Sequence, residues 1–408
     1  MRIGVWLGKY DNPQIGGGFS YVDRLITAID SYHFDPMIEI CFIVEGECSW
    51  NLKSEVVILN NHISTPFLYR ALLFLLPLLV LRSFKCRIKD QIQANMEEKR
   101  KISYTDQLNC YEVKLIYYIQ QSQCVLPDFP FISTNWDVGH CSTYAFPELI
   151  SPVFYEIRYN FYNRYLPKAL FVFAESEAGK EELIRFMQIK SSKIKVVPIF
   201  SGDCVKQIVP ESQQLLYLRK SKLEKKKYFF YPAQFWAHKN HVGLLRAFSI
   251  FLKDFPDYKL VFTGSDKGTL SHVLKKVDQL GLKDAVVYLG FVSTEEMNTL
   301  YQNATSLVMA TYNGPTNMPP LEAMELGCPV ICSDLAGHHE ELGDAAIFFD
   351  PENPFDMAKA MKTVCLDNEK YIQYIKTQRN VTYFTIDNAL SAINKYLCQA
   401  VQIRDNWA

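Results

Sequence analysis

Between residues 228 and 366 short apolar runs alternate with amphipathic stretches, a rhythm that only a parallel sheet covered by helices on both faces can satisfy. The strand-like runs are 228–232, 259–263, 286–289, 306–310, 330–333 and 346–349, and helical spacing fills 242–252, 270–280, 294–303 and 355–366. Right-handed crossovers then make the unit Rossmann-like and doubly wound. The first half carries a looser version of the same pattern. Strands are expected at 3–7, 38–44, 56–60, 131–135 and 170–174, with a helix over 21–31 and a capped helix start at Ser176. A polar stretch at 206–227 reads as the linker between them, and helical spacing resumes over 386–401. With 408 residues, more than one core is required. The expected domains are 1–205 and 206–385, with 386–408 packing back on the first.

Composition narrows the function classes. Apolar residues make up 49% and aromatics 14%, enough for two cores, and a formal net charge of −1 supplies no general attraction to nucleic acid. Eleven cysteines lie without a CxxC pair, which argues for a reducing cytosolic setting; Cys328 and Cys332 flank a buried strand as packing residues. The opening residues form a strand and lack a secretory apolar region. One strongly apolar run, 71–81, is broken by Pro77 and falls short of the ~20 residues that span a bilayer. Arg82, Lys85, Arg87 and Lys89 follow it, so 71–89 is expected to dock peripherally on the cytoplasmic face of a membrane, a buried core helix being the alternative.

The stretch from Gly314 to Asp334 reads as a Pro-rich loop, a helix start at Pro319 and Pro320, a stop at Gly327 and another strand. Helix starts attract phosphate, and the carboxylate of Glu322 one turn in suits sugar hydroxyls beside it. Lys239 follows the strand 228–232, at the ligand-facing edge of the sheet, and supplies a cation for a diphosphate. Gly17 and Gly18, before the first helix, allow backbone N–H groups to approach a phosphate. Asp137, His140 and Glu148 fall in one loop after the strand 131–135.

The run Pro319, Pro320, Leu321, Glu322 and Ala323 resembles the motif of retaining GT-B glycosyltransferases of the large group 1 family, which includes lipopolysaccharide, capsule and mannosyl transferases. That resemblance covers most of the chain and is strongest over 228–351. It implies two Rossmann-like domains facing across a cleft, with the last helix crossing back to the first domain. It also implies a nucleoside-diphosphate sugar as donor substrate, no other cofactor, and a lipid-linked or membrane-proximal glycan as acceptor. Protein cations rather than a catalytic metal serve the leaving phosphate in such folds.

In residues, the resemblance implies that Lys239 stabilises the phosphate, Glu322 holds the ribose, and His140 orients the sugar, with Asp137 positioning either His140 or the acceptor. Glu148 is an acceptor-side candidate. Gly264 and Ser265 end another strand, and Phe291 and Val292 follow Gly290 where relatives hold the nucleobase. Two departures stand out. The family's arginine five residues before the lysine is Gln234 here, with His238 or a residue from elsewhere in the chain to compensate. The first of its two glutamates falls at Gly314, leaving Thr316, Asn317 and Met318 to offer neutral contacts. The reading is a metal-independent transferase of bacterial surface polysaccharide synthesis. Its rivals are an epimerase or phosphorylase of the same fold, or a non-catalytic glycan-binding subunit.

Overall fold

The computed structural model describes residues 1–8, 17–60, 82–121, 123–367, 369–373 and 383–407, with the backbone alone over 82–90. Two wholly parallel sheets organise the chain. The first holds β1 (Arg2–Gly8), β2 (Glu39–Glu45), β3 (Val56–Leu59), β4 (Leu115–Tyr118), β5 (Phe131–Asn135), β6 (Phe171–Ala174) and β7 (Ile194–Val196), in the order β3-β2-β1-β4-β5-β6-β7. The second holds β8 (Tyr228–Pro232), β9 (Lys259–Thr263), β10 (Val286–Tyr288), β11 (Ser306–Met309), β12 (Val330–Ser333) and β13 (Ala346–Phe349), in the order β10-β9-β8-β11-β12-β13. Strand order reverses beside β1 in one sheet and beside β8 in the other, and ligands of open α/β sheets bind at the carboxyl ends of strands at such points.

Side chains alternate across β1 as the pleat requires. Ile3, Val5 and Leu7 enter one apolar cluster and Trp6 the opposite one. The first cluster takes in the helix Ile386–Arg404 through Ala389, Leu390, Ile393 and Leu397, so the last helix does cross back to the first sheet. Met318 and Leu321, from the far half of the chain, also join that cluster. The two domains therefore meet through apolar contact as well as polar bonds.

Two stretches of the sequence reading gain structure. The polar stretch 206–227 is no bare linker, because it contains the helix Glu211–Lys220, whose Leu218, with Leu223, is buried in the second core. Its Lys226 Nζ donates to the carbonyls of Gln302 and Ala304, fixing the segment to the second domain. The basic residues 82–89 begin a helix of 29 residues, Arg82–Cys110. The apolar run 71–81 lies outside the described residues, as do the side chains of 82–90. Among the described residues no helix is long and apolar enough to cross a membrane. Cys328 and Cys332 are buried in the second core as packing residues.

Candidate functional site

The helix Met318–Glu325 begins as the prolines require, with Pro319 and Pro320 in its first turn, and Gly327 at φ +72° ends it. Its start faces the start of the first helix, Gly17–Ser31; a Cβ on Gly17 would stand 3.9 Å from Met318 Sδ. Two helix N-termini, one from each domain, thus converge where both strand orders reverse. Gly18 has a different neighbour. A Cβ there would meet the six-membered ring of Trp136 at 3.1 Å, so its lack of side chain seats an indole.

Lys239 closes a short 3-10 turn, Ala237–Lys239, ahead of Asn240, whose left-handed backbone and side chain cap the helix His241–Phe251. Its carbonyl accepts from the Tyr231 hydroxyl at 2.6 Å, which fixes the turn to β8. Its Nζ donates to Asn317 Oδ1 at 3.1 Å. Burial presses its pKa down to about 8, although Asp137 across the cleft draws it back up. Asn317 is itself held on every side. Its N–H donates to Glu341 Oε1 at 2.8 Å and its Nδ2 lies 3.0 Å from His338 Nε2. His338 Nδ1 lies 2.7 Å from the carbonyl of Ser333, which sets the imidazole tautomer and aims Asn317 Oδ1 at the lysine.

This arrangement explains the missing glutamate. Gly314 has φ +135°, and a Cβ there would stand 2.4 Å from Asn317 Nδ2 and 2.9 Å from Thr316 O. No side chain fits at 314 while Asn317 occupies that space.

Asp137 follows β5 and accepts from Gly139 N at 2.7 Å and from Arg158 Nη1 at 3.0 Å. Burial raises its pKa, but Arg158 and Gly139 outweigh that and hold it below the usual carboxylate range. His140 is pushed down to about 4, first by burial and then by Arg158, whose Nη1 lies 3.5 Å from its Nδ1. It is therefore a neutral imidazole at physiological pH. Its ring lies 4.7 Å from that of Tyr162. Arg158 escaped the sequence reading because it sits on a separate helix, Pro152–Asn160, within a run that looks merely aromatic.

Other expected residues are engaged in holding the domains together. Glu148 Oε1 accepts from His238 N at 3.0 Å and lies 2.7 Å from His238 Nδ1, so each takes up the other. Thr316 Oγ1 donates to Glu175 Oε2 at 2.7 Å, and burial lifts Glu175 to about 8. Glu322 lies deeper than an open, ligand-facing carboxylate. Its Oε2 accepts from the Tyr301 hydroxyl at 2.7 Å and its Oε1 from Gly202 N at 3.1 Å, and burial raises its pKa. It bridges the Gly202 segment to the second domain.

Gln234 Oε1 accepts from Trp236 Nε1 at 3.0 Å. Gly264, at φ +130°, passes the chain so close that a Cβ would stand 2.5 Å from Ala233 O. Ser265 O receives Phe235 N, and Phe291 is 55% exposed beyond β10 while Val292 is buried. These residues share the carboxyl edge of β8, β9 and β10. Among the described residues no three His, Cys, Asp or Glu side chains converge to hold a metal ion.

Residues 216–381 match the family described as Glycosyl transferases group 1. O-antigen chain mannosyltransferase B of Escherichia coli is 28% identical over 192 residues, 46% of this chain and 49% of that one. O-antigen chain mannosyltransferase RfbU of Salmonella typhimurium is 28% identical over 180 residues, 44% of this chain and 49% of that one. The chain spans about half the length of the curated relatives it matches. The crystal structure of Anabaena Alr3699/HepE in complex with UDP and glucose is similar at a TM-score of 0.69 and 15% identity, over 98% of this chain and 100% of that one. At that identity the likeness establishes the fold alone, GT-B.

Proposed function

From a group 1 glycosyl transferase domain over residues 216–381, on a GT-B scaffold, we propose that this protein transfers a hexose from a nucleoside diphosphate to a membrane-proximal glycan of surface polysaccharide synthesis. The observation that carries the reading is Lys239, a half-buried cation aimed by Asn317 where the starts of two helices meet. Breaking the bond between the sugar's anomeric carbon and the phosphate leaves negative charge on the diphosphate. A positioned ammonium and helix N–H groups stabilise it without a metal. His140, neutral, orients the sugar by hydrogen bonding. The acceptor oxygen bonds to the anomeric carbon on the face the phosphate leaves, and its proton passes to a phosphate oxygen, giving retention.

Both curated relatives are mannosyltransferases by name, which supports a mannosyl donor. A panel of UDP- and GDP-hexoses should show one that raises the melting temperature. A ligand at 100 times its Kd adds about 2.7 kcal/mol to the folded state. A panel in which none shifts the melt would sink the reading.

The helix Pro152–Asn160 supports a membrane-proximal acceptor. Its apolar side chains face outward, Val153, Phe154 and Ile157 recurring at helical spacing with exposures of 74, 48 and 56%, and Ile150 just ahead of the helix is 49% exposed. Tyr155 and Tyr159, also exposed, add amphipathic rings of the kind that settle at headgroup level. Arg158 on the same helix pairs with Asp137, so a lipid surface there lies next to the cleft. Changing Val153, Phe154 and Ile157 together to Asp should cut sedimentation with phosphatidylglycerol vesicles at least tenfold and leave the melt unchanged. Undiminished vesicle binding would rule this helix out.

A further inference from the structure

Consecutive residues at the end of β6 and the start of the helix after it, Glu177–Met187, are bonded to the second domain. Glu175 Oε2 accepts from Thr316 Oγ1 at 2.7 Å, and Ser176 Oγ donates to the carbonyl of Pro315 at 3.1 Å. Glu177 N and Ala178 N each donate at 2.8 Å to Glu340, one to Oε1 and the other to Oε2. A carboxylate spanning the first N–H groups of a helix is favoured by charge-assisted bonds and by the helix dipole. This one comes from the opposite domain, on the helix Ala336–Leu342, so the cap exists only while the domains are together. Glycines let the loop between them fit. A Cβ on Gly337 would stand 1.9 Å from the carbonyl oxygen of Pro315, and one on Gly179 would stand 3.5 Å from Pro315 Cβ.

Glu175 and Glu340 play different parts in this seam. Glu340 meets the positive end of a helix, whereas Glu175 is 4% exposed and accepts its bond from a neutral hydroxyl. The described groups that face Glu175 are Tyr21 of the first helix, Tyr117 of β4, Asp137 after β5 and Glu341 of the helix Ala336–Leu342. Thr316 completes the set, next to the Asn317 that holds Lys239. Burial, with Asp137 adding to it and the Thr316 bond opposing, lifts Glu175 to about 8 from the ordinary 4.5 of a glutamate. Its hydroxyl partner lies on the other domain, so parting the domains removes Thr316 and lets water solvate the ion. Glu341 differs, because its partner Asn317 N belongs to its own domain.

We propose that this seam is a proton-linked clasp between the two domains, closed while Glu175 is protonated and released when it ionises. It concerns the unliganded chain and does not rest on the transferase reading. An acid whose pKa is raised in the closed state favours closure fully below its open-state value, and that contribution is lost as pH rises to the closed-state value. Closure should therefore weaken about tenfold between pH 6.5 and 8. The other titrating bridge across the cleft, Glu148 to His238, does not mimic this, because both groups are held below their ordinary values of 4.5 and 6.5. Lys239, lowered to about 8 by burial, acts with the opposite sign and only above that pH. Small-angle X-ray scattering from the unliganded full chain gives the test. The radius of gyration of the unmodified protein should grow from pH 6.5 to 8. Glu175→Gln, neutral and still offering Thr316 an oxygen, should keep the smaller radius throughout. Glu340→Gln, which replaces one acceptor oxygen with an amide nitrogen, should be expanded already at pH 6.5. A constant radius in the unmodified protein, or equal growth in Glu175→Gln, would overturn the clasp. Should Glu175→Gln lose its cooperative melt, Glu340→Gln decides, and a radius no larger than that of the unmodified protein at pH 6.5 overturns it.

Discussion

Lys239→Ala should lower kcat for sugar transfer about 10²- to 10³-fold, the usual cost of removing one positioned electrostatic contact to developing charge. The variant should melt no lower than the unmodified protein. The folded-state pKa of Lys239 is about 8, below the ordinary 10.5 of a lysine, so the folded protein holds this proton less tightly than the unfolded chain does. Its protonation therefore costs stability below about pH 8, and that cost is relieved as pH rises toward the unfolded value. Activity runs the opposite way, because only the ammonium serves the phosphate. The ratio kcat/KM, which reports the free enzyme, should fall as pH rises through about 8, and bound diphosphate should move the kcat limb higher. Transfer within threefold of the unmodified protein at pH 7 would remove Lys239 from the chemistry.

The second large effect belongs to the pair behind it. Asp137→Ala strands the Arg158 guanidinium, whose side chain is only 11% exposed, and breaking a buried pair from one side costs about 3–5 kcal/mol. Replacing both, Asp137→Ala with Arg158→Leu, should recover much of that loss, because no uncompensated charge remains. Chemical denaturation of the two singles and the double gives the coupling directly. The folded-state pKa of Asp137 is depressed, so its contribution is complete above the ordinary carboxylate range and lost only as pH falls through the lower, folded value. The penalty should therefore be constant between pH 5 and 8. A double variant no more stable than the worse single would show that the pair contributes packing rather than charge.

Each of the second sheet's six strands is legible in the chain, because four- or five-residue apolar runs separated by helical spacing leave one solution. In the first sheet β4 and β7 are not, for a reason that is physical. Strands buried on both faces show no alternation, and runs as short as Leu115–Tyr118 or Ile194–Val196 are indistinguishable from the apolar side of a helix or loop. The helix Arg82–Cys110 is hidden similarly, since its residues are mostly polar and mark no clear apolar face.

Local chemistry set whatever depends on neighbours a few residues apart. Pro319, Pro320 and Gly327 bound a helix because a missing N–H is tolerated in a first turn and a left-handed residue ends one, and Lys239 follows β8 at a sheet edge by order alone. What those residues touch was decided only by folding. Asn317 meets Lys239 across 78 positions and Glu322 meets Gly202 across 120, and no spacing rule spans such distances. The same holds for charge. Whether His140 is neutral, Glu175 protonated or Lys239 ready to lose its proton depends on desolvation and on partners brought from elsewhere in the chain. Glycine at 314 is the clearest case: the sequence shows only an absent carboxylate, while the structure shows Asn317 filling the space that its side chain would need.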